Sequence, residues 1–309
     1  PTPQSPILSG LVGSEMCIRD SWNPAGMVNI SNPEVQTFYS PWLVETQFYH
    51  NTAVVPLGGF GTIGASFTAV TMDEMMVRTV QDPEPNEYGE RFNAGNLAIG
   101  LAFAKKLTDR FSFGFKTKFI QESIWQMSAQ GLAVDIGTLF ITKRDMRIGM
   151  SISNFGGKLG MEGVNTLVDI DVDENIYGNN DRIDGSLGTS RWPLPLIFRF
   201  GISREFLFSE TMKCLVAVDA IHPNNNPEYL NLGFEYSAMD MFFLRIGKSH
   251  TFYELKSNGE DGRGSEQGLS FGGGVRYRIP RGPMLEVNYV VTNFGVFSDI
   301  QGYSFSLQF

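Results

Sequence analysis

The chain has 309 residues, 42% of them hydrophobic, with 24 basic and 33 acidic side chains and a formal charge of −9. The acidic surplus argues against nucleic-acid binding, and Cys17 and Cys214 alone supply neither a disulfide framework nor a zinc site. Mean hydropathy is −0.10 and no run approaches the ~20 apolar residues of a spanning helix, yet spanning strands stay allowed because their alternation averages out of such a measure.

In chain order, residues 1–21 come first. They lack the basic start and apolar core of an export signal, and residues 10–21 resemble a translated sequencing adapter. Residues 1–21 are therefore expected to be a non-native leader and 22–309 a single β-domain.

From Trp22 onward, alternating segments recur between turn signals. The expected strands are 34–40, 45–56, 62–72, 94–107, 110–123, 128–142, 146–154, 194–206, 212–221, 228–236, 241–250, 268–279, 283–292 and 302–309. Fourteen is even, as single-chain bacterial barrels require, and 25 Phe with 34 Gly suit an all-β membrane wall. The even-numbered connections (57–61, 108–109, 143–145, 207–211, 237–240 and 280–282) are all short. Every long one (72–93, 155–193, 251–267 and 293–301) is odd-numbered. Sorting of loop length by parity predicts a transmembrane antiparallel up-and-down β-barrel with tight periplasmic turns and long outer loops.

The pleat supports this. Phe111, Phe113, Phe115 and Phe119 alternate with Ser112, Gly114, Lys116 and Lys118. Leu269, Phe271, Val275 and Tyr277 alternate with Ser270, Gly272, Gly274 and Arg276. In strand 45–56, Phe48 and Tyr49 compete for the outer face. The last strand puts Tyr303, Phe305, Leu307 and Phe309 on one face and Ser304, Ser306 and Gln308 on the other. That pattern, ending on Phe, resembles the assembly signal read by barrel-assembly machinery. Closure requires this strand to pair with the short one near 34–40.

The inward positions hold Lys116, Lys118, Asp135, Arg147, Arg199, Asp219, Glu235, Arg245, Arg276, Arg278 and Glu286. An Arg or Lys on the lipid face would cost about 2–4 kcal/mol at mid-membrane. Two readings stand: a structural ion-pair network, or a polar lining that binds cargo, plug or solute. The inward residues assigned in this way are mostly charged or glycine, which disfavours an apolar conduit. Trp42, Trp125 and Trp192, with Tyr39 and Tyr49, fall near strand ends and are expected in aromatic girdles.

Catalysis finds little footing. His50, His222 and His250 lack metal spacing, and neither G-x-S-x-G nor H-E-x-x-H occurs. The acidic stretch 169–181 opens like a calcium loop but has Glu174 where the turn glycine belongs. Gly272–Gly274 lies inside a strand, where close packing or curvature explains it better than phosphate binding. Neither cofactor nor enzymatic role is expected.

Three stretches carry a resemblance. Trp22-Asn23-Pro24-Ala25-Gly26, then Leu232–Tyr236 with Leu244–Gly247, then Leu269–Val275 with the closing strands, resemble PorV/PorQ proteins, relatives of the FadL fatty-acid transporter barrels. The resemblance implies a fourteen-stranded FadL-like barrel in a bacterial outer membrane, with the N-P-A-G segment tucked towards the lumen. It further implies partners: outer-membrane lipid, and secreted cargo or components of type IX secretion. The alternative is passage of hydrophobic small molecules.

Overall fold

The computed structural model describes residues 23–80, 82–86, 88–170, 183–249, 269–294 and 299–309, with backbone alone for Asp169, Ile183 and Asp184. The expected leader, Trp22, His250 and most of the acidic stretch lie outside the described residues.

Fourteen strands form the wall. They are β1 (Glu34–Pro41), β2 (Thr46–Pro56), β3 (Thr62–Met72), β4 (Ala94–Lys106), β5 (Phe111–Ile124), β6 (Met127–Ile141) and β7 (Met146–Gly156). The second half comprises β8 (Ile197–Ser209), β9 (Met212–Pro223), β10 (Tyr229–Ala238), β11 (Phe242–Lys248), β12 (Leu269–Arg278), β13 (Met284–Asn293) and β14 (Asp299–Gln308). Each pairs antiparallel with the next, and β14 returns to β1 with Glu34 opposite Gln308 and Tyr39 opposite Tyr303. The Phe309 N–H donates to the Pro33 carbonyl at 2.9 Å, extending this last ladder. Closure leaves the fourteen-stranded wall without an open edge, as a hydrocarbon solvent demands. The two residues Glu162–Gly163, from the β7–β8 connection, add a short extension on β6.

Short turns join β2–β3, β4–β5, β6–β7, β8–β9, β10–β11 and β12–β13 at one end, here the turn end. At the β10–β11 turn, Met239 and Asp240 take φ 58° and 52°, left-handed conformations that reverse the chain in few residues. The long connections gather at the other end, the loop end.

The two faces of the wall differ in kind. On β5, Phe113, Phe115, Thr117 and Phe119 are exposed outward, while Ser112, Gly114, Lys116, Ile120 and Glu122 are buried inward. On β14, Tyr303 and Phe305 point out and Ser304 and Ser306 in. An apolar exterior continuous around the wall exceeds any patch tolerated in water, and lipid is the solvent it matches. In β2, Phe48 takes the inner face and Tyr49 the outer one. Tyr49 completes an outward row with Tyr39, Tyr303 and Tyr289, whose successive ring centroids lie 5.2, 6.5 and 5.3 Å apart across the closing seam.

Candidate functional site: the barrel interior

The chain enters the barrel before it builds the wall. Pro24–Asn29 forms a 3-10 turn whose first four residues are buried. Asn23 caps it: its Oδ1 accepts from the Ala25 N–H at 3.0 Å, and its Nδ2 donates to the Thr138 carbonyl at 2.9 Å. Pro24 suits the first turn because its φ is preset and no N–H is lost there. The wall accommodates this segment through missing side chains. Gly114 and Gly137 face each other across β5 and β6. A Cβ on Gly114 would lie 2.5 Å from the Ala25 nitrogen, and one on Gly137 would overlap the Asn23 side chain. Ala25 packs on Leu139, and Met27 and Ile30 pack on Val54 and Ala104. Asn23 to Gly26 thus lie inside the barrel, near the turn end.

Charged side chains make two groups in the interior. In the first, Lys118 pairs with Asp135 at 2.7 Å and also donates to Asn154. The β6–β7 ladder is irregular here, between Val134 and Ile136, and Asn154 has φ 63°. Asp135 accepts from the Asn154 N–H at 2.7 Å, and the Asn154 side chain donates to the Pro195 carbonyl at 2.9 Å. The bulge is therefore tied by side chains where backbone pairing lapses. Lys116, opposite Asp135 on β5, is buried beside this group.

The second group spans β10 to β14. Arg245 Nε donates to Glu235 at 2.6 Å, and Arg245 Nη1 to Asn288 at 2.6 Å. Arg276 pairs with Glu286 at 2.8 Å, and Asn288 donates to Glu286 and Ser304 at 3.0 Å each. Both guanidiniums lie over the Phe243 ring, at 5.4 and 4.6 Å. Gly274 makes room, since a Cβ there would overlap the Asn288 side chain. Arg199 and Asp219 face inward on β8 and β9, and a Cβ on Gly201 would overlap the Asp219 carboxylate. Arg147 is half-buried at the start of β7, whereas Arg278 is exposed at the end of β12 and stands apart from the buried lining.

The expectation that charge and glycine dominate the interior is corrected by two apolar clusters. Phe38, Phe48, Val290, Phe294 and Ile300 are 2–5% exposed and pack with Trp42, Leu43 and Val70. Ile120, Ala129, Ala133, Leu159 and Leu194 are 0–4% exposed and pack with Ala98, Met161 and Trp192. Trp42 and Trp192 thus belong to the interior and not to a girdle: Trp42 packs on Phe48 and Phe294, and a short antiparallel pairing within the β7–β8 connection sets Trp192 opposite Leu159. Trp125 is exposed at the β5–β6 turn, with its Nε1 donating to Glu90 at 3.3 Å. Inward parity carried the missed signal: Ile120 follows Lys118, and Val290 follows Asn288, on the same face.

Beyond the wall, a cavity of about 360 Å³ in the β7–β8 connection is lined by Met161, Glu162, Thr166, Leu187 and Arg191 among others. His222 pairs with Glu228 at 2.8 Å on the surface, and His50 bonds Thr68 inside the barrel. Among the described residues no three His, Cys, Asp or Glu gather as a metal site would require.

No family model and no curated relative matches the chain. Its fold does match solved barrels. The toluene transporter TbuX of Ralstonia pickettii shares 12% identity with a TM-score of 0.54, over 97% of this chain and 94% of that one. The toluene transporter TodX of P. putida gives 10% and 0.56, over 96% and 94%. The CymD monoaromatic hydrocarbon channel gives 12% and 0.55, over 98% and 97%. The chain is a closed fourteen-stranded antiparallel barrel with the same fold as these. At such identities the likeness is one of fold, and it does not single out the PorV/PorQ proteins.

Proposed function

We propose that this barrel resides in a bacterial outer membrane and admits small hydrophobic molecules from its loop end. The observation that carries this reading is the apolar packing inside the wall, above all Phe38, Phe48, Val290, Phe294 and Ile300 with Trp42. An interior built only to hold ion pairs has no use for such a cluster, and a nonpolar solute would replace its contacts at little cost. The solved barrels named above are described as transporters or channels for toluene and monoaromatic hydrocarbons, which supports the same reading. In it, Lys116, Lys118, Asp135, Glu235, Arg245, Arg276 and Glu286 form a polar belt that keeps the wall open. The Asn23–Gly26 segment narrows the passage near the turn end. Tyr303, Phe305, Leu307 and Phe309 would present the closing strand to the assembly machinery.

Titration of the detergent-solubilised barrel with toluene, read by Trp fluorescence, tests the reading. Saturable quenching that Trp42→Phe reduces is expected. Absence of saturable binding, with recovery of secreted proteins from native membranes, would overturn it in favour of the protein-cargo role that the PorV/PorQ resemblance implies.

A further inference from the structure

Two neighbouring hairpins at the turn end carry five exposed cations: Lys105, Lys106 and Arg110 around the β4–β5 turn, and Lys143 and Arg144 in the β6–β7 turn. None of the five has an ion-pair partner among the described residues. Only Asp109 and Asp145 lie between them in these turns, so the patch has a surplus of three positive charges on a chain of net −9. The turns lie side by side, because Phe111 sits opposite Phe140 and the Ile141 N–H donates to the Arg110 carbonyl at 2.8 Å.

The patch adjoins the edge of the apolar exterior. On β4 the outward stripe Ile99, Leu101, Phe103 runs directly into Lys105, which pairs across to Phe113. Phe60, Phe103 and Phe115 form an aromatic border there, with centroids 5.7 and 5.9 Å apart. A lysine at that point lays its stem along the hydrocarbon boundary and carries its ammonium just past it. Lys105 continues the outward stripe, whereas Lys106 pairs across to inward Ser112 and, with Arg110, Lys143 and Arg144, adds its charge at the rim of the same end of the wall. We propose that this basic rim binds acidic phospholipid headgroups of the phosphatidylglycerol type in the leaflet at the turn end, which rests on the membrane reading above.

The experiment measures binding of short-chain phosphatidylglycerol and phosphatidylcholine to the detergent-solubilised full chain by native mass spectrometry. The wild-type barrel should hold the anionic lipid at least roughly tenfold more tightly, given about a fivefold gain per well-placed cation. Lys105→Gln/Lys106→Gln/Arg110→Gln/Lys143→Gln/Arg144→Gln should abolish the preference. Arg78→Gln/Arg91→Gln, in the β3–β4 connection, should leave it intact. Should the fivefold variant not fold, Lys143→Gln/Arg144→Gln alone should lower the preference severalfold. Equal binding of both lipids by wild type, or an unchanged preference in either turn variant, overturns the proposal. Failure of the wild-type chain to form a heat-modifiable barrel in any detergent would instead overturn the membrane reading.

Discussion

The Asn23 side chain occupies the space that a Cβ on Gly137 would fill, while its Nδ2 holds the Thr138 carbonyl next along the same strand. The wall and the segment ahead of it are thus fitted to each other at a position where only glycine leaves room. Gly114 repeats the device one strand away, beneath Pro24 and Ala25.

Gly137→Val should therefore expel the Asn23–Gly26 turn without preventing barrel closure. Overpacking costs about 1–3 kcal/mol, which displacement of the turn relieves. Limited proteolysis near Asn23 should become faster, and ion conductance of the reconstituted barrel should rise. Unchanged values for both would mean that the turn does not narrow the passage.

The Lys118–Asp135 pair, with side chains 12% and 9% exposed, predicts a strongly non-additive pair of substitutions. Asp135→Leu alone leaves a buried ammonium and an unpaired Asn154 N–H and should cost about 3–5 kcal/mol, whereas Lys118→Met/Asp135→Leu should recover the part due to the ammonium. Urea unfolding in lipid vesicles measures both, and additive costs would contradict the burial seen here.

The outward face makes a depth-dependent prediction. Phe119→Arg, in mid-wall on β5, should destabilise the folded barrel by about 2–4 kcal/mol in lipid, and Phe208→Arg, at the turn end of β8, by about 0–1 kcal/mol. Equal costs at the two positions would argue that the exterior does not face hydrocarbon.

The interior cluster across the closing seam offers a fourth test. Phe48→Ala removes a ring that is 3% exposed and packed between Phe38 and Trp42. A loss of about 3–5 kcal/mol is expected, as for other buried rings. Toluene, filling the space, should restore part of it as a raised unfolding midpoint.

Much of the architecture was legible because strand pleat and turn length are local properties. Period-2 alternation gave the face of Phe113 and Lys116 alike, and loop parity gave the direction of each strand. Strand 45–56 was the exception: Phe48 and Tyr49 are both aromatic and adjacent, so alternation alone could not choose. Pairing with β1 chose, by placing Tyr49 beside outward Tyr39 and Phe48 near inward Phe38. The girdle assignment of Trp42 and Trp192 failed for a related reason. Position near a strand end fixes the height of a side chain but not whether its loop folds outward or back over the lumen.

The sequence by itself determined a fourteen-stranded antiparallel barrel with an apolar exterior, since each strand carries its own two-faced pattern. Only the tertiary structure decided which inward residues meet: Arg245 with Glu235 and Asn288, Asn154 with Asp135, Asn23 with Gly137. The physical reason is that closure sets register and stagger through all fourteen strands at once. Residues far apart in sequence, such as Asn23 and Thr138, become neighbours through that global constraint and not through any local spacing.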